Sequence, residues 1–160
     1  MLTTILVEHP WLTTAALVAL VLVGPGAGAW LAHRPRLTTW LLGLAVVVVA
    51  VLTLTPTSRQ LQVGCYFAWD LPQLGAVELM ANVVLFAPLV LLAGVRWRRP
   101  LVALLAATAV SALIEVAQAF TPALGRSCSS DDWLSNTLGA LLGAVLALVA
   151  LRIAPMLRRR

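Results

Sequence analysis

Five long stretches of the chain are almost free of charged side chains, and each is long enough to cross a membrane as a helix. A hydrocarbon core about 30 Å thick requires about 20 apolar residues per helix. A helix also satisfies its own backbone hydrogen bonds where no water is present. The pattern therefore predicts an all-α integral membrane protein, a compact bundle of five transmembrane helices. The predicted spans are residues 11–31, 37–55, 79–95, 101–120 and 133–151.

The basic residues between these spans predict the orientation of the bundle. All eleven are arginine, and nine of them follow the first or third span or lie at the C-terminal end. The segments after the second and fourth spans contain Arg59 and Arg126. Because loops rich in basic residues stay in the cytoplasm, we expect the N-terminus outside and the C-terminus in the cytoplasm. The nine are Arg34, Arg36, Arg96, Arg98, Arg99, Arg152, Arg158, Arg159 and Arg160.

Composition excludes several other classes of protein. The chain is 61% hydrophobic and 11% charged, whereas a soluble domain carries about 25% charged residues. The same hydrophobicity excludes intrinsic disorder. The net charge of +5 is not arranged as a continuous basic face with interleaved aromatic residues, so we expect no nucleic acid partner. From its length, we expect the chain to form a single domain over residues 1–160. All its basic residues are arginine and it is rich in Ala, Leu and Val, a composition that suggests a GC-rich bacterial genome. We therefore expect the protein in a bacterial plasma membrane.

Both cysteines lie in the two longer outer segments of the predicted topology. Cys65 belongs to the segment between the second and third spans, and Cys128 to the segment between the fourth and fifth. That compartment permits disulfides, and an even number of cysteines with none left over fits one bridge. We predict a Cys65–Cys128 disulfide, with two free thiols as the alternative. Two cysteines without a nearby histidine lack a full ligand set, so no metal is expected.

Polar residues recur on one face of three predicted helices, near the outer end of each. Ionisable groups are costly inside a membrane, so Glu115 in the fourth span requires an explanation. Helical spacing puts these polar positions on facing surfaces, which predicts a polar cluster beneath the outer rim of the bundle. The positions are Asn82 in span three; Thr108, Ser111, Glu115 and Gln118 in span four; and Asp132 and Asn136 at the start of span five.

Most of these residues also have a purely structural interpretation. Gly139 and Gly143, spaced by four, are typical of a close helix-packing surface. Asp132 would cap the fifth helix, and Asp131 would be solvated. Interhelical hydrogen bonds would account for Asn82, Gln118 and Asn136.

Glu115 is the hardest of these residues to explain by packing alone. A buried carboxylate requires a nearby cation or several hydrogen-bond donors. Arg126 is the nearest outer basic residue along the chain, so we predict a Glu115–Arg126 pair. The planar fork of an arginine also suits a phosphate or carboxylate ligand.

The same residues carry a resemblance to a known family. The segment from Asn82 to Pro88, the pair Glu115 and Gln118, and the region from Gly125 to Gly143 are ordered and spaced as in the VanZ-like family. The resemblance covers residues 82–143. It implies a membrane protein related to a founding member associated with low-level resistance to the glycopeptide teicoplanin. The first span and the segment with Cys65 lie outside this signature.

Three functions are compatible with these observations. The first is a pocket that binds or modifies a lipid-linked or amphiphilic cell-envelope molecule, with Arg126, Gln118, Asn82 and Asn136 as ligand-binding residues. The second is an intramembrane enzyme acting on a lipid-like substrate by cyclisation or hydrolysis, without a cofactor. Its acid and base would be Glu115 with Asp131 or Asp132.

The third function is a transporter or a non-catalytic membrane assembly factor. Five spans leave little room for an alternating-access path, and the sequence has no inverted repeat. A homodimer would supply the additional helices that such a path requires.

Overall fold

The computed structural model describes residues 8–56, 65–67, 76–125 and 128–157. Within them the chain forms five long helices, each long and apolar enough to cross a membrane, as the sequence predicts. The helices are α1 (Trp11–Leu31), α2 (Pro35–Leu54), α3 (Val77–Trp97), α4 (Pro100–Phe120) and α5 (Ser130–Leu157). The chain is therefore a multi-pass helical membrane protein.

Two short turns bring the arginines together at one end of the bundle. The turns join α1 to α2 and α3 to α4, and each following helix begins with a proline, Pro35 or Pro100. Proline suits the first helical position because the N–H that it lacks has no intrahelical partner there. Such short connections make neighbouring helices antiparallel. We call this end, with Arg34, Arg96 and Arg98, the arginine end.

The opposite end is closed by a short parallel strand pair. Strand β1 (Cys65–Tyr66) pairs with β2 (Cys128–Ser129), and Cys65 lies opposite Cys128 in the register. The two cysteines form a disulfide, which confirms the predicted bridge. A short 3-10 helix over Pro122–Leu124 leads from α4 towards β2. We call this the disulfide end.

Helix α5 lies at the centre of the bundle and packs most extensively on α3. Glycines allow the two backbones to approach closely. A Cβ atom at Gly139 would lie 2.5 Å from the carbonyl oxygen of Val83, and one at Gly143 would lie 3.0 Å from the backbone nitrogen of Leu91. No side chain fits between the helices at either position.

The outer surface of the bundle is apolar and suits a lipid environment. Large side chains such as Leu22 and Leu113 are mostly exposed on it. Trp30 and Trp97 are about half exposed at the arginine end, and Trp11 is exposed at the disulfide end. Tryptophan concentrates at the two membrane–water interfaces, so these residues mark the levels at which the bundle meets the lipid headgroups.

The predicted helix boundaries need one correction that affects the site. Helix α5 begins at Ser130, three residues before the predicted start at Trp133. Asp131 and Asp132 therefore lie inside its first turn, and Asp132 is not the residue that precedes the helix. Carboxylates are favourable in a first turn because they face the positive end of the helix dipole. A boundary drawn at the first apolar residue misses such a polar turn.

Candidate functional site

The carboxylate of Glu115 is buried in the bundle near the disulfide end. Glu115 lies in the last turns of α4, and its side chain is 7% exposed. Its Oε2 atom accepts a hydrogen bond of 2.8 Å from the backbone N–H of Ser129 in β2. A buried charged group requires such a partner, because it has lost its hydrogen bonds to water. The strand that carries the disulfide therefore also supplies a donor to the central carboxylate.

A second carboxylate, that of Asp132, lies in the first turn of α5 at the same end of the bundle. The Nδ2 atom of Asn82 in α3 donates a hydrogen bond of 2.7 Å to Oδ1 of Asp132 in α5. An electrostatic interaction also links the side chains of Asp132 and Glu115. Three helices thus meet at these two acidic residues.

The polar cluster continues one turn deeper along α5. The Nδ2 atom of Asn136 donates to Oγ of Ser111 in α4 over 2.9 Å, and the Asn136 side chain is 3% exposed. The Oδ1 atom of Asn136 and the Oγ atom of the neighbouring Ser135 are buried and have no hydrogen-bond partner among the described residues. Leaving such an atom unsatisfied costs about 1–3 kcal/mol. The cluster therefore retains hydrogen-bonding capacity that another molecule could use.

Two predicted site residues have surroundings that the sequence did not indicate. Gln118 donates from Nε2 to the carbonyl oxygen of Thr53 over 2.9 Å, so it joins α4 to α2 rather than to α5. Asp131 is buried in the first turn of α5, and its backbone N–H donates to Oγ of Ser129 over 3.2 Å.

Arg126 lies outside the described residues, and so does the predicted pairing of its guanidinium with Glu115. The donor that the structure gives to Glu115 is the backbone N–H of Ser129. Among the described residues, no three His, Cys, Asp or Glu side chains are grouped so that they could hold a metal ion.

Ser111 is one of the positions that the sequence predicts for the polar cluster, whereas two buried or partly buried serines nearby, Ser129 and Ser135, are not. Ser135 has a detectable signal, because Asp131, Ser135 and Gly139 follow each other at steps of four along α5. Ser129 acts through its backbone N–H as well as its hydroxyl. No side-chain pattern could have indicated the hydrogen bond from the backbone N–H of Ser129 to Glu115.

The arrangement combines two acidic side chains, two amides and the hydroxyls of Ser111 and Ser129 within the disulfide end of a helical membrane bundle. The group can hold a polar part of a ligand by hydrogen bonds, and its acidic members can accept or donate a proton. The molecule is thus a multi-pass membrane protein with a buried polar cluster beneath one rim. The model of the VanZ/LLP1 family matches residues 11–151, so the chain belongs to that family. No curated protein and no solved structure matches the chain significantly.

Proposed function

We propose that this protein binds or modifies a lipid-linked or amphiphilic molecule of the bacterial cell envelope, and that it thereby contributes to tolerance of glycopeptides such as teicoplanin. The observation that carries the proposal is the buried polar cluster around Glu115, Asp132 and Asn136. A membrane protein retains such groups inside the bilayer at considerable cost, which favours a functional role. Membership of the VanZ/LLP1 family supports the link to teicoplanin.

We further propose that the disulfide end faces the outside of the plasma membrane. Disulfides form and persist in oxidising compartments, and the Cys65–Cys128 bridge lies at this end. The opposite end carries most of the arginines, which favours the cytoplasmic side. In this orientation the N-terminus is outside, the C-terminus is inside, and the polar cluster lies near the outer leaflet. That is the leaflet in which lipid-linked envelope precursors would be available to it.

The proposal gives a role to several of the predicted site residues. Arg126 holds a phosphate or carboxylate of the ligand, because its planar fork makes paired hydrogen bonds to such groups. Glu115 orients Arg126 or moves a proton. The Oδ1 atom of Asn136, which has no partner in the part of the chain that the structure describes, accepts a hydrogen bond from the ligand, and Asn82 holds Asp132 by its own hydrogen bond. Gln118 joins the last turn of α4 to the end of α2 through its hydrogen bond to the carbonyl oxygen of Thr53, at the edge of the site.

Resistance in a complemented host tests this proposal. Glu115→Gln and Arg126→Ala should each lower teicoplanin tolerance towards that of the host without the gene. The matched controls are Glu78→Gln, an exposed acid on α3, and Arg36→Ala, an exposed arginine at the other end. Both controls should keep full tolerance. Full tolerance in Glu115→Gln and Arg126→Ala variants that are present at normal levels in the membrane would contradict the proposal.

The electrostatic interaction between Glu115 and Asp132 favours an enzymatic version of the same site. Two acidic side chains in different surroundings can divide the roles of general acid and general base. The reaction would be cyclisation or hydrolysis of a lipid-like substrate. If the protein is an enzyme, cells that carry the Glu115→Gln variant should accumulate a lipid-like substrate that is absent from lipid extracts of wild-type cells. Identical lipid profiles together with retained ligand binding favour the non-catalytic version.

The hydrogen bonds of the cluster also join α3, α4 and α5, which favours a non-catalytic assembly factor as the remaining alternative. In that case Glu115→Gln should change the thermal stability of the protein in detergent, and teicoplanin tolerance of the host should change in proportion. A variant of unchanged stability that loses tolerance excludes the purely structural role.

A further inference from the structure

A polar cavity of about 240 Å³ lies at the arginine end, far from the cluster around Glu115. It is bounded by the turn between α1 and α2 on one side and by the last residues of α3 on the other. Pro35 and Thr38 line it from α2, and Arg96 and Arg98 line it from the end of α3. Two arginine residues therefore border one small interhelical space.

Arg96 makes a side-chain hydrogen bond next to the cavity, and Arg98 has an unusual backbone conformation there. Arg96 donates from Nε to Oγ1 of Thr39 over 2.8 Å, which orients its guanidinium and leaves its terminal N–H groups for another acceptor. Arg98 follows α3 in a left-handed conformation with φ of 55°. Glycine usually occupies that position, because a side chain is strained there.

Among the described residues, no acidic side chain lies at the arginine end to compensate the charge around the cavity. Every acidic residue of the described segments lies in the disulfide half of the molecule: Glu8, Glu78, Glu115, Asp131 and Asp132. Helix α2 begins at the cavity with Pro35, and no described side chain caps that end, so the positive end of its dipole adds to the arginine charges. This distribution of charge would favour an anion in the cavity.

We propose that this cavity, which we call the Arg96–Arg98 pocket, binds the phosphate group of an anionic phospholipid. Arginine binds phosphate oxygens through paired, charge-assisted hydrogen bonds. Trp30 and Trp97 are 47% and 51% exposed at the same end, which puts the pocket at the level of the lipid headgroups. Basic pockets between transmembrane helices are known to bind such headgroups. This inference stands independently of the proposed function, because it concerns the opposite end of the bundle.

Arg34 is adjacent in the fold but has a different partner. Its guanidinium carbon lies 4.1 Å from the centre of the Trp30 ring, a cation–π contact on the outer surface. Arg152 is exposed on α5 and does not line the pocket. It is therefore a matched control, because its replacement removes the same charge from the same end of the protein.

Lipid binding to the purified full-length protein in detergent tests the proposal, with Kd values measured by native mass spectrometry. Wild-type protein should bind phosphatidylglycerol more tightly than phosphatidylcholine. Arg98→Gly and Arg96→Gln should each weaken phosphatidylglycerol binding roughly five- to tenfold, since one arginine near the headgroups contributes about that factor. Arg152→Gln should leave it within about twofold of the wild type, because Arg152 does not contact the lipid in this proposal.

The choice of Arg98→Gly keeps the experiment decisive. Glycine adopts the left-handed conformation without strain, so this variant should be at least as stable as the wild type while losing the charge. Equal affinity for the two lipids would overturn the proposal, as would equal weakening by Arg152→Gln and Arg98→Gly. Inorganic phosphate that displaces phosphatidylglycerol at equimolar concentration would show that the pocket recognises free phosphate and not a lipid.

Discussion

Glu115 illustrates how a single buried carboxylate can depend on a main-chain group for its stability. Its observed donor is the backbone N–H of Ser129, a residue in the strand that is joined by disulfide to β1. The sequence indicated that Glu115 needs a partner, because the residue lies in an apolar span. It could not indicate this partner, because a backbone N–H is present at almost every position and its availability depends on the path of the chain.

Replacing Glu115 by glutamine and by leucine separates hydrogen bonding from charge. Glutamine retains an oxygen that accepts from the Ser129 N–H, so Glu115→Gln should change the free energy of unfolding by less than about 1 kcal/mol. Leucine leaves that N–H without its acceptor, so Glu115→Leu should destabilise the protein by about 1–3 kcal/mol. Unfolding of the detergent-solubilised variants measures both values. Equal effects of the two substitutions would contradict the assigned hydrogen bond.

At the scale of helices, the contact between α3 and α5 depends on positions where no side chain fits. Gly143→Ala should destabilise the bundle by about 1–3 kcal/mol, because the added methyl group meets the α3 backbone near Ala87 and Leu91. Gly43 in α2 is a matched control, since a methyl group added there meets nothing within 4 Å. Gly43→Ala should be neutral or stabilising by up to about 1 kcal/mol. Thermal unfolding of both variants in one detergent makes the comparison.

Hydropathy predicted the five helices, because each must satisfy the same requirement of length and apolarity. It did not predict which helices contact one another. Gly28 of α1 packs so closely on α5 that a Cβ atom there would lie 2.8 Å from that of Ala150. The bond from Gln118 to the Thr53 carbonyl likewise joins α4 to α2 through a segment with no distinguishing polar pattern. Such pairings depend on local shape, which the hydrophobic pattern does not record.

For the molecule as a whole, the disulfide connects the segments that precede α3 and α5, the two most closely packed helices. The cysteines are separated by 63 residues in sequence, a closure worth about 4 kcal/mol in an unrestricted chain. We expect a smaller loss in the double variant Cys65→Ser, Cys128→Ser, because the membrane already restricts the unfolded chain. The melting temperature of the wild type should fall to that of the variant when a reductant is added. A reductant that also lowers the melting temperature of the variant would indicate a cause other than this bridge.

Polarity is distributed unequally between the two ends of the molecule, and the proposed orientation follows from that inequality. The described acidic residues and the disulfide lie in one half, while six arginines of the described segments lie at the other end. The orientation stays a prediction, and it can be made from the sequence alone because arginine counts depend on position along the chain and not on contacts. The detailed geometry of the polar cluster required the packed helices, since its hydrogen bonds join residues from separate spans.

Labelling of introduced cysteines in intact cells tests this orientation directly. The native cysteines are joined in a disulfide and should not react with a membrane-impermeant maleimide. Glu78→Cys is exposed at the disulfide end and should be labelled, whereas Arg36→Cys is exposed at the arginine end and should be labelled only after the cells are opened. The reverse pattern would put the polar cluster at the inner leaflet. An envelope ligand at the outer leaflet would then be excluded, although the Arg96–Arg98 pocket would keep its charge and its proposed lipid.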